Sequence, residues 1–183
     1  MPRATRCGRR LRTSADRDTI KYVDSPTLQL ALTPFTVNDA ERMLAGEVDP
    51  VDGWEGGYSF VDEPELLAEY VRAVRQAGDP APFGPYLVRR GPEGPAIGGV
   101  NLFGPPDARG AVEFAFGLVP AVRGQGLARD VVGEALALLR SSGVVVAIAE
   151  SEIANLPARR VLEQAGMVEA SRTGDTLRYE IRL

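Results

Sequence analysis

VPAVRGQGLA, residues Val119 to Ala128, joins two segments of opposite character. Before it, Ala111–Val119 reads as a strand. After it, Leu127, Val131, Ala135, Leu138 and Leu139 recur on one helical face as far as Arg140. A strand therefore stops, Arg123, Gly124 and Gly126 follow, and a helix begins at once. The first N–H groups of a helix have no partner within it and carry partial positive charge, and glycine lets the main chain approach an anion closely. The amides from Arg123 to Ala128, those of Gln125 and Leu127 included, form a cradle suited to a diphosphate. A Gly-x-Gly ahead of a helix also serves turns and caps that bind nothing, so the pattern needs its context.

That context is a run of elements on either side. Three strand-like runs, Pro85–Arg90, Ala96–Phe103 and Ala111–Val119, are separated by turns at Gly91–Pro95 and Gly104–Gly110 and read as an antiparallel meander. Beyond the helix, Val144–Ala149 is a continuous apolar run, as expected of a strand buried on both faces. Asn155–Ala165 reads as a further helix with Val161 and Leu162 inward, stopped by Gly166. The chain closes on a hairpin, Met167–Arg172 and Thr176–Leu183, whose second arm alternates Leu177, Tyr179, Ile181 and Leu183 with Arg178, Glu180 and Arg182.

Towards the N-terminus, Leu28, Leu30 and Leu32 mark a first strand, and Thr36 with Asp39 caps a short helix with Ala40, Met43 and Leu44 as its apolar face. Leu67, Tyr70, Val71 and Val74 mark a second helix running to about Arg75. Between these helices, residues 46–61 carry Trp54, Tyr58 and Phe60 among glycines and prolines. Such aromatics either contact a substrate or fold back over a core. Residues 1–26 lack apolar periodicity and are expected to form a flexible basic extension, leaving 27–183 as a single domain.

Composition narrows the chemistry. Histidine is absent from the 183 residues and cysteine occurs once, at Cys7. Every Ser-His or Cys-His triad is excluded, as are an internal disulfide and a thiolate metal cluster, so a reducing, cytoplasmic setting is expected and no metal is called for. Residues 1–24 hold six Arg and one Lys against three Asp, a surplus of four positive charges that leaves −8 on the rest of a chain whose total is −4. An acidic body is unsuited to nucleic acid and receptive to a cationic amine. Charged residues interrupt every apolar run before it reaches membrane-spanning length, so no membrane partner is expected.

VPAVRGQGLA resembles the R-x-x-G-x-G/A signature of the GNAT superfamily of acyl-CoA-dependent N-acetyltransferases, matched by Arg123, Gly126 and Ala128. Ala154–Met167, ANLPARRVLEQAGM, is similar to the helix that lies beside the pantetheine arm in that family, matched by Asn155, Glu163 and Gly166. Val112–Pro120, VEFAFGLVP, resembles the strand of the RimJ/RimL-type branch, with Glu113 seven residues before Pro120. The resemblance implies an α/β (α+β) fold: a mixed, mostly antiparallel sheet of about seven strands, flanked by about four helices, with a V-shaped splay between the fourth and fifth strands.

It further implies acetyl-CoA as cosubstrate. The main chain of Leu118 and Val119 is expected to pair with the pantetheine like an added strand, and the amides from Arg123 to Ala128 to hold the pyrophosphate. Asn155 is expected at the pantetheine amides, with Arg159 either reaching a phosphate or lying solvated on the helix face. Glu113 is the candidate general base for direct transfer to a primary amine, a protein N-terminus or a small molecule; the alternative is a strand Glu that faces solvent or pairs with Arg. Leu162 stands where many family members have a protonating Tyr, and Ala158 where many have Ser, which leaves the general acid to water, Tyr179 or a loop tyrosine. Two rivals follow from the residues. An acyl-CoA-binding sensor without catalysis suits those replacements, and a dinucleotide-binding unit suits Gly124, Gly126 and Glu150, although Arg129 takes the place of its third Gly. A homodimer through the C-terminal strands is compatible with the pattern.

Overall fold

The computed structural model describes residues 30–47, 53–55 and 64–183. Seven strands, β1 (Leu30–Pro34), β2 (Gly84–Arg90), β3 (Ala96–Phe103), β4 (Ala111–Leu118), β5 (Val146–Glu152), β6 (Val168–Thr173) and β7 (Thr176–Arg182), form one sheet in the order β1-β2-β3-β4-β5-β7-β6. Every neighbouring pair is antiparallel except β4–β5. A parallel pair requires a crossover, and helix α3 (Leu127–Ser141) supplies it. Among the described residues, helices α1 (Val37–Leu44), α2 (Pro64–Ala77) and α4 (Leu156–Gln164) complete the set. One parallel pair in a sheet of seven removes the dinucleotide-binding alternative, which needs several parallel strands side by side.

Local signals act as their chemistry dictates. Thr36 caps α1 by accepting from the Asp39 N–H, while the Asp39 carboxylate accepts from the Thr36 N–H at 2.9 Å. Asn155 caps α4, and Gly166, at φ +87°, follows the helix end that Ala165 closes.

Alternation along the strands divides the apolar residues between two faces. Val88, Val100, Val112, Phe114, Ala147, Ala149, Leu177 and Tyr179 pack with Val131, Val132, Ala135 and Leu139 of α3 and Leu162 of α4. On the other face, Leu87 packs with Phe35, Ala40, Leu67 and Val71 beneath α1 and α2. Burying about twenty such side chains at roughly 1.5–3 kcal/mol each supplies the main force for the larger cluster.

Three boundaries differ from expectation. Leu44, assigned to the apolar face of α1, is 41% exposed because the helix ends there and Ala45 caps it. The fifth strand begins at Val146 and runs to Glu152; Val144 instead donates to Leu139 O at the end of α3, and Val145 to Gly110 O. Met167 donates to Leu162 O and is buried as the close of α4, which moves the start of β6 to Val168. Residues 1–26, Thr27 and Leu28 lie outside the described residues. Among the described residues no helix is long and apolar enough to cross a membrane.

Candidate active site

The parallel pair β4–β5 comes apart. Its register runs Ala111↔Val146, Val112↔Ala147 and Glu113↔Ile148 and stops, while β4 continues five residues to Leu118 and β5 four to Glu152. β3 still holds one side of β4 as far as Gly98↔Leu118, and β7 holds β5 as far as Glu152↔Thr176. The fork therefore exposes one hydrogen-bonding edge of β4 in the middle of the sheet, where a ligand can take a strand's place.

The Val119 N–H donates to Ile97 O at 3.0 Å, on the β3 side. Strand alternation then directs the main-chain groups of Leu118 and Phe116 the other way, into the fork. Val119 itself is held by the protein's own main chain. Its N–H is engaged by Ile97, its carbonyl accepts from Val122 N–H at 3.1 Å, and its side chain is fully buried. The main chain of Phe116 is the next on β4 to face the fork. A two-residue step back from Leu118 along the strand was the sequence signal for it.

Past β4, Pro120–Val122 form a single 3-10 turn and the loop Arg123–Gly126 leads into α3. Gly124 and Gly126 have φ of +77° and +81°, and a Cβ on either would meet nothing within 4 Å. Both glycines are thus required by backbone conformation, and the space before them is open. Gly126 is the N-cap of α3 without a side-chain cap, so Leu127, Ala128 and Arg129 present N–H groups that have no acceptor within the helix. Arg123 braces the loop: its N–H donates to Pro120 O at 3.2 Å and its Nε to Leu118 O at 2.8 Å. Gln125 Nε2 donates to Ala121 O at 3.2 Å.

On the far side of the fork stands α4. Asn155 Oδ1 accepts from Ala158 N–H at 3.2 Å, which fixes the side chain at the helix start. Leu156, next to it, is 52% exposed. Arg159 donates through Nε to the Tyr179 hydroxyl at 3.2 Å and through Nη1 to Ile153 O at 3.0 Å, and the Tyr179 hydroxyl donates to Glu163 Oε1 at 3.2 Å. Arg159 is partly exposed and bonded to β7 and to the turn after β5, and Tyr179, 0% exposed, has its hydroxyl engaged on both sides. Leu162 is buried in the core.

Glu113 is the last residue of β4 paired with β5, at the base of the fork. Alternation with Val112 and Phe114 turns it away from α3, to the face that also carries Glu150, Arg178 and Glu180. Arg178 pairs with Glu150 at 3.6 Å and with Glu180 at 3.2 Å. Half-burial, and then the Glu150 charge, push the Glu113 carboxyl above the ordinary glutamate range, with Arg178 opposing. Trp54 is half-buried and packs against both apolar clusters; Tyr58 and Phe60 lie outside the described residues.

A mixed sheet forked at its single parallel pair, with a glycine loop and a helix start at the open edge, defines a class of acyl-CoA-dependent transferases. Residues 29–168 match the model of the acetyltransferase (GNAT) domain, and the chain belongs to that family. Among solved structures, it is similar to Mycobacterium smegmatis RimJ in complex with CoA-disulfide: 18% identity over 90% of this chain and 87% of that one, with a TM-score of 0.60. It is also similar to spermidine N-acetyltransferase from Vibrio cholerae in complex with CoA and spermine, at 19% identity over 84% and 95%, with a TM-score of 0.59. A GNAT-family acetyltransferase from Bacillus anthracis aligns at 17% identity over 89% and 97%, with a TM-score of 0.58. At these identities the likeness is one of fold. No curated protein matches the chain in sequence.

Proposed function

We propose that this protein moves an acetyl group from acetyl-CoA to a primary amine by direct transfer, with residues 27–183 forming one catalytic domain. The observation that carries the reading is the open β4 edge leading into the glycine loop and the start of α3, an edge for an extended arm followed by a cradle for its phosphates. Acetyl-CoA, when bound, supplies a thioester carbonyl that an uncharged amine can attack. The Leu118 N–H and the main chain of Phe116 would hold the pantetheine arm, and amides between Gly124 and Ala128 the diphosphate. Asn155, its Oδ1 engaged by the cap, offers Nδ2 from the opposite wall.

Glu113 takes the proton from the incoming ammonium, directly or through one water. Its raised pKa brings it nearer the pH at which a general base works best. The amine arrives as a cation, and the acidic face around Glu113, Glu150 and Glu180 favours it. The leaving thiolate is protonated by water, since Leu162 is apolar and Tyr179 is engaged. A protein N-terminus and a polyamine are the first substrates to try, the latter because a structural relative is a spermidine N-acetyltransferase. A cytoplasmic setting suits a chain with one thiol, and a homodimer is compatible with relatives that include a dodecamer.

The same two residues, Leu162 and Tyr179, favour one further reading, an acyl-CoA-binding module without turnover. Calorimetry with acetyl-CoA, followed by thiol release against a peptide N-terminus, spermidine and an aminoglycoside, separates the two. Binding with thiol release on any of these amines supports the enzyme; binding without release on all of them supports the module. No binding overturns both.

A further inference from the structure

Where β2 ends beside the glycine loop, three side chains from three separate segments meet. Arg90, the last residue of β2, donates through Nε to Glu55 Oε2 at 2.9 Å and through Nη2 to Gln125 Oε1 at 2.9 Å. Glu55 belongs to the connection between α1 and α2, and its N–H donates to Ala96 O at 3.0 Å. Trp54, immediately before it, packs on both apolar clusters. The Arg90 side chain is four-fifths covered, at 20% exposure. The proposed chemistry uses neither Arg90 nor Glu55.

A guanidinium is a rigid planar fork, so two acceptors on two of its nitrogens are held at a fixed angle to each other. One acceptor here is the only side chain between Gly124 and Gly126, two residues that contribute no side-chain anchor of their own. The orientation of the phosphate loop is thus transmitted through Gln125 to Arg90. The other acceptor is a carboxylate on the loop that carries Trp54. An anion seated against the glycine loop would compete with Glu55 for the Arg90 charge.

We propose that Arg90 is a positioning residue that sets the phosphate loop and the Trp54–Glu55 loop as one unit, so that filling the first is transmitted to the second. The inference rests on the acyl-CoA reading and deepens it. If the Trp54–Glu55 loop also borders the amine, coupling between the two ligands follows and is reciprocal.

Trp54 is the sole tryptophan, which provides the readout. The full chain is titrated with coenzyme A, with binding followed by calorimetry and the loop by tryptophan emission. In the wild type the emission change saturates together with the calorimetric signal. Arg90→Met binds coenzyme A with a Kd raised about three- to tenfold and loses most of the emission change. Arg90→Lys keeps the charge but not the fork and restores less than half of the change, an ordering that general loosening of the fold does not produce. Gln125→Met, in an exposed loop, repeats the loss should Arg90→Met fail to fold. Calorimetric binding with equal emission changes in wild type and Arg90→Met, or with none in the wild type, overturns the inference and leaves the acyl-CoA reading standing. Absence of calorimetric binding in the wild type overturns that reading and the inference with it.

Discussion

The two walls of the fork are built on different principles. The β4 wall presents main chain: the edge at Phe116 and Leu118, then two glycines and the uncapped start of α3. The α4 wall is held by side chains, with Arg159, Tyr179 and Glu163 bonded in series between helix and strand and Asn155 fixed by its own cap. Recognition by main chain tolerates many side-chain exchanges and few backbone ones. A wall held by side chains reverses that tolerance. Substitutions in the β4 wall should therefore fail in ligand binding, and those in the Arg159–Tyr179–Glu163 series of the α4 wall in folding.

The largest effect is expected at Glu113, where the walls join. Glu113→Gln should lower kcat/KM by about 100- to 10,000-fold, the usual contribution of a general base, and remove the acid limb of the pH–rate profile. Because the folded-state pKa is raised, the ionised form of Glu113 opposes folding, and its contribution to stability is present at low pH and lost as pH rises through that pKa. The variant should accordingly unfold at a higher temperature than wild type at pH 7, and the gap should close below the ordinary glutamate range. A retained acid limb would detach Glu113 from the chemistry.

Next comes the β4 wall. Gly126→Val places a branched side chain at φ +81°, a strain of about 1–3 kcal/mol, and extends into the space before α3. Coenzyme A affinity should fall beyond what the loss of stability explains, as calorimetry beside denaturant unfolding would measure. On the α4 wall, Tyr179→Phe removes the shared hydroxyl and should cost about 1 kcal/mol of unfolding free energy. Coenzyme A affinity in the folded variant should stay within about twofold, consistent with a hydroxyl buried away from the fork. The smallest change divides one residue between its two jobs. Asn155→Asp keeps the cap, so stability should be unaltered, but it deletes the Nδ2 donor and should weaken coenzyme A binding by about fivefold. Unchanged coenzyme A binding instead would mean that Asn155 serves the helix alone.

What could be read from the chain follows the same division. The glycine loop was legible because helix starts and positive-φ glycines leave local signatures, and the Thr36–Asp39 cap for the same reason. The element order from β1 to β7 followed from periodicity and breakers. Which edge of β4 stays open was not legible, because a strand's pattern records its faces and says nothing of its two hydrogen-bonding sides. The alternation alone therefore does not separate Val119 from Phe116 as the neighbour of Leu118 at the open edge. The positions of Arg159 and Tyr179 depend on α4 crossing β7, a long-range meeting with no local trace in either segment, and the link from Glu55 through Arg90 to Gln125 likewise leaves none. Strand β5 was displaced because Val144 and Val145 are apolar while they turn.

The margins of the sheet carry a last consequence. β1 closes on Pro34, which has no N–H to offer, and β6 is exposed along its length, with Val168 at 65% and a break in register between Glu169 and Ser171. An outermost strand of even pitch is a template on which a neighbouring copy can be laid down indefinitely. A kink at one border and an imino acid at the other throw the donors and acceptors out of step, so copies of this molecule are poorly suited to zip into a ribbon even at the concentrations of a crowded cell.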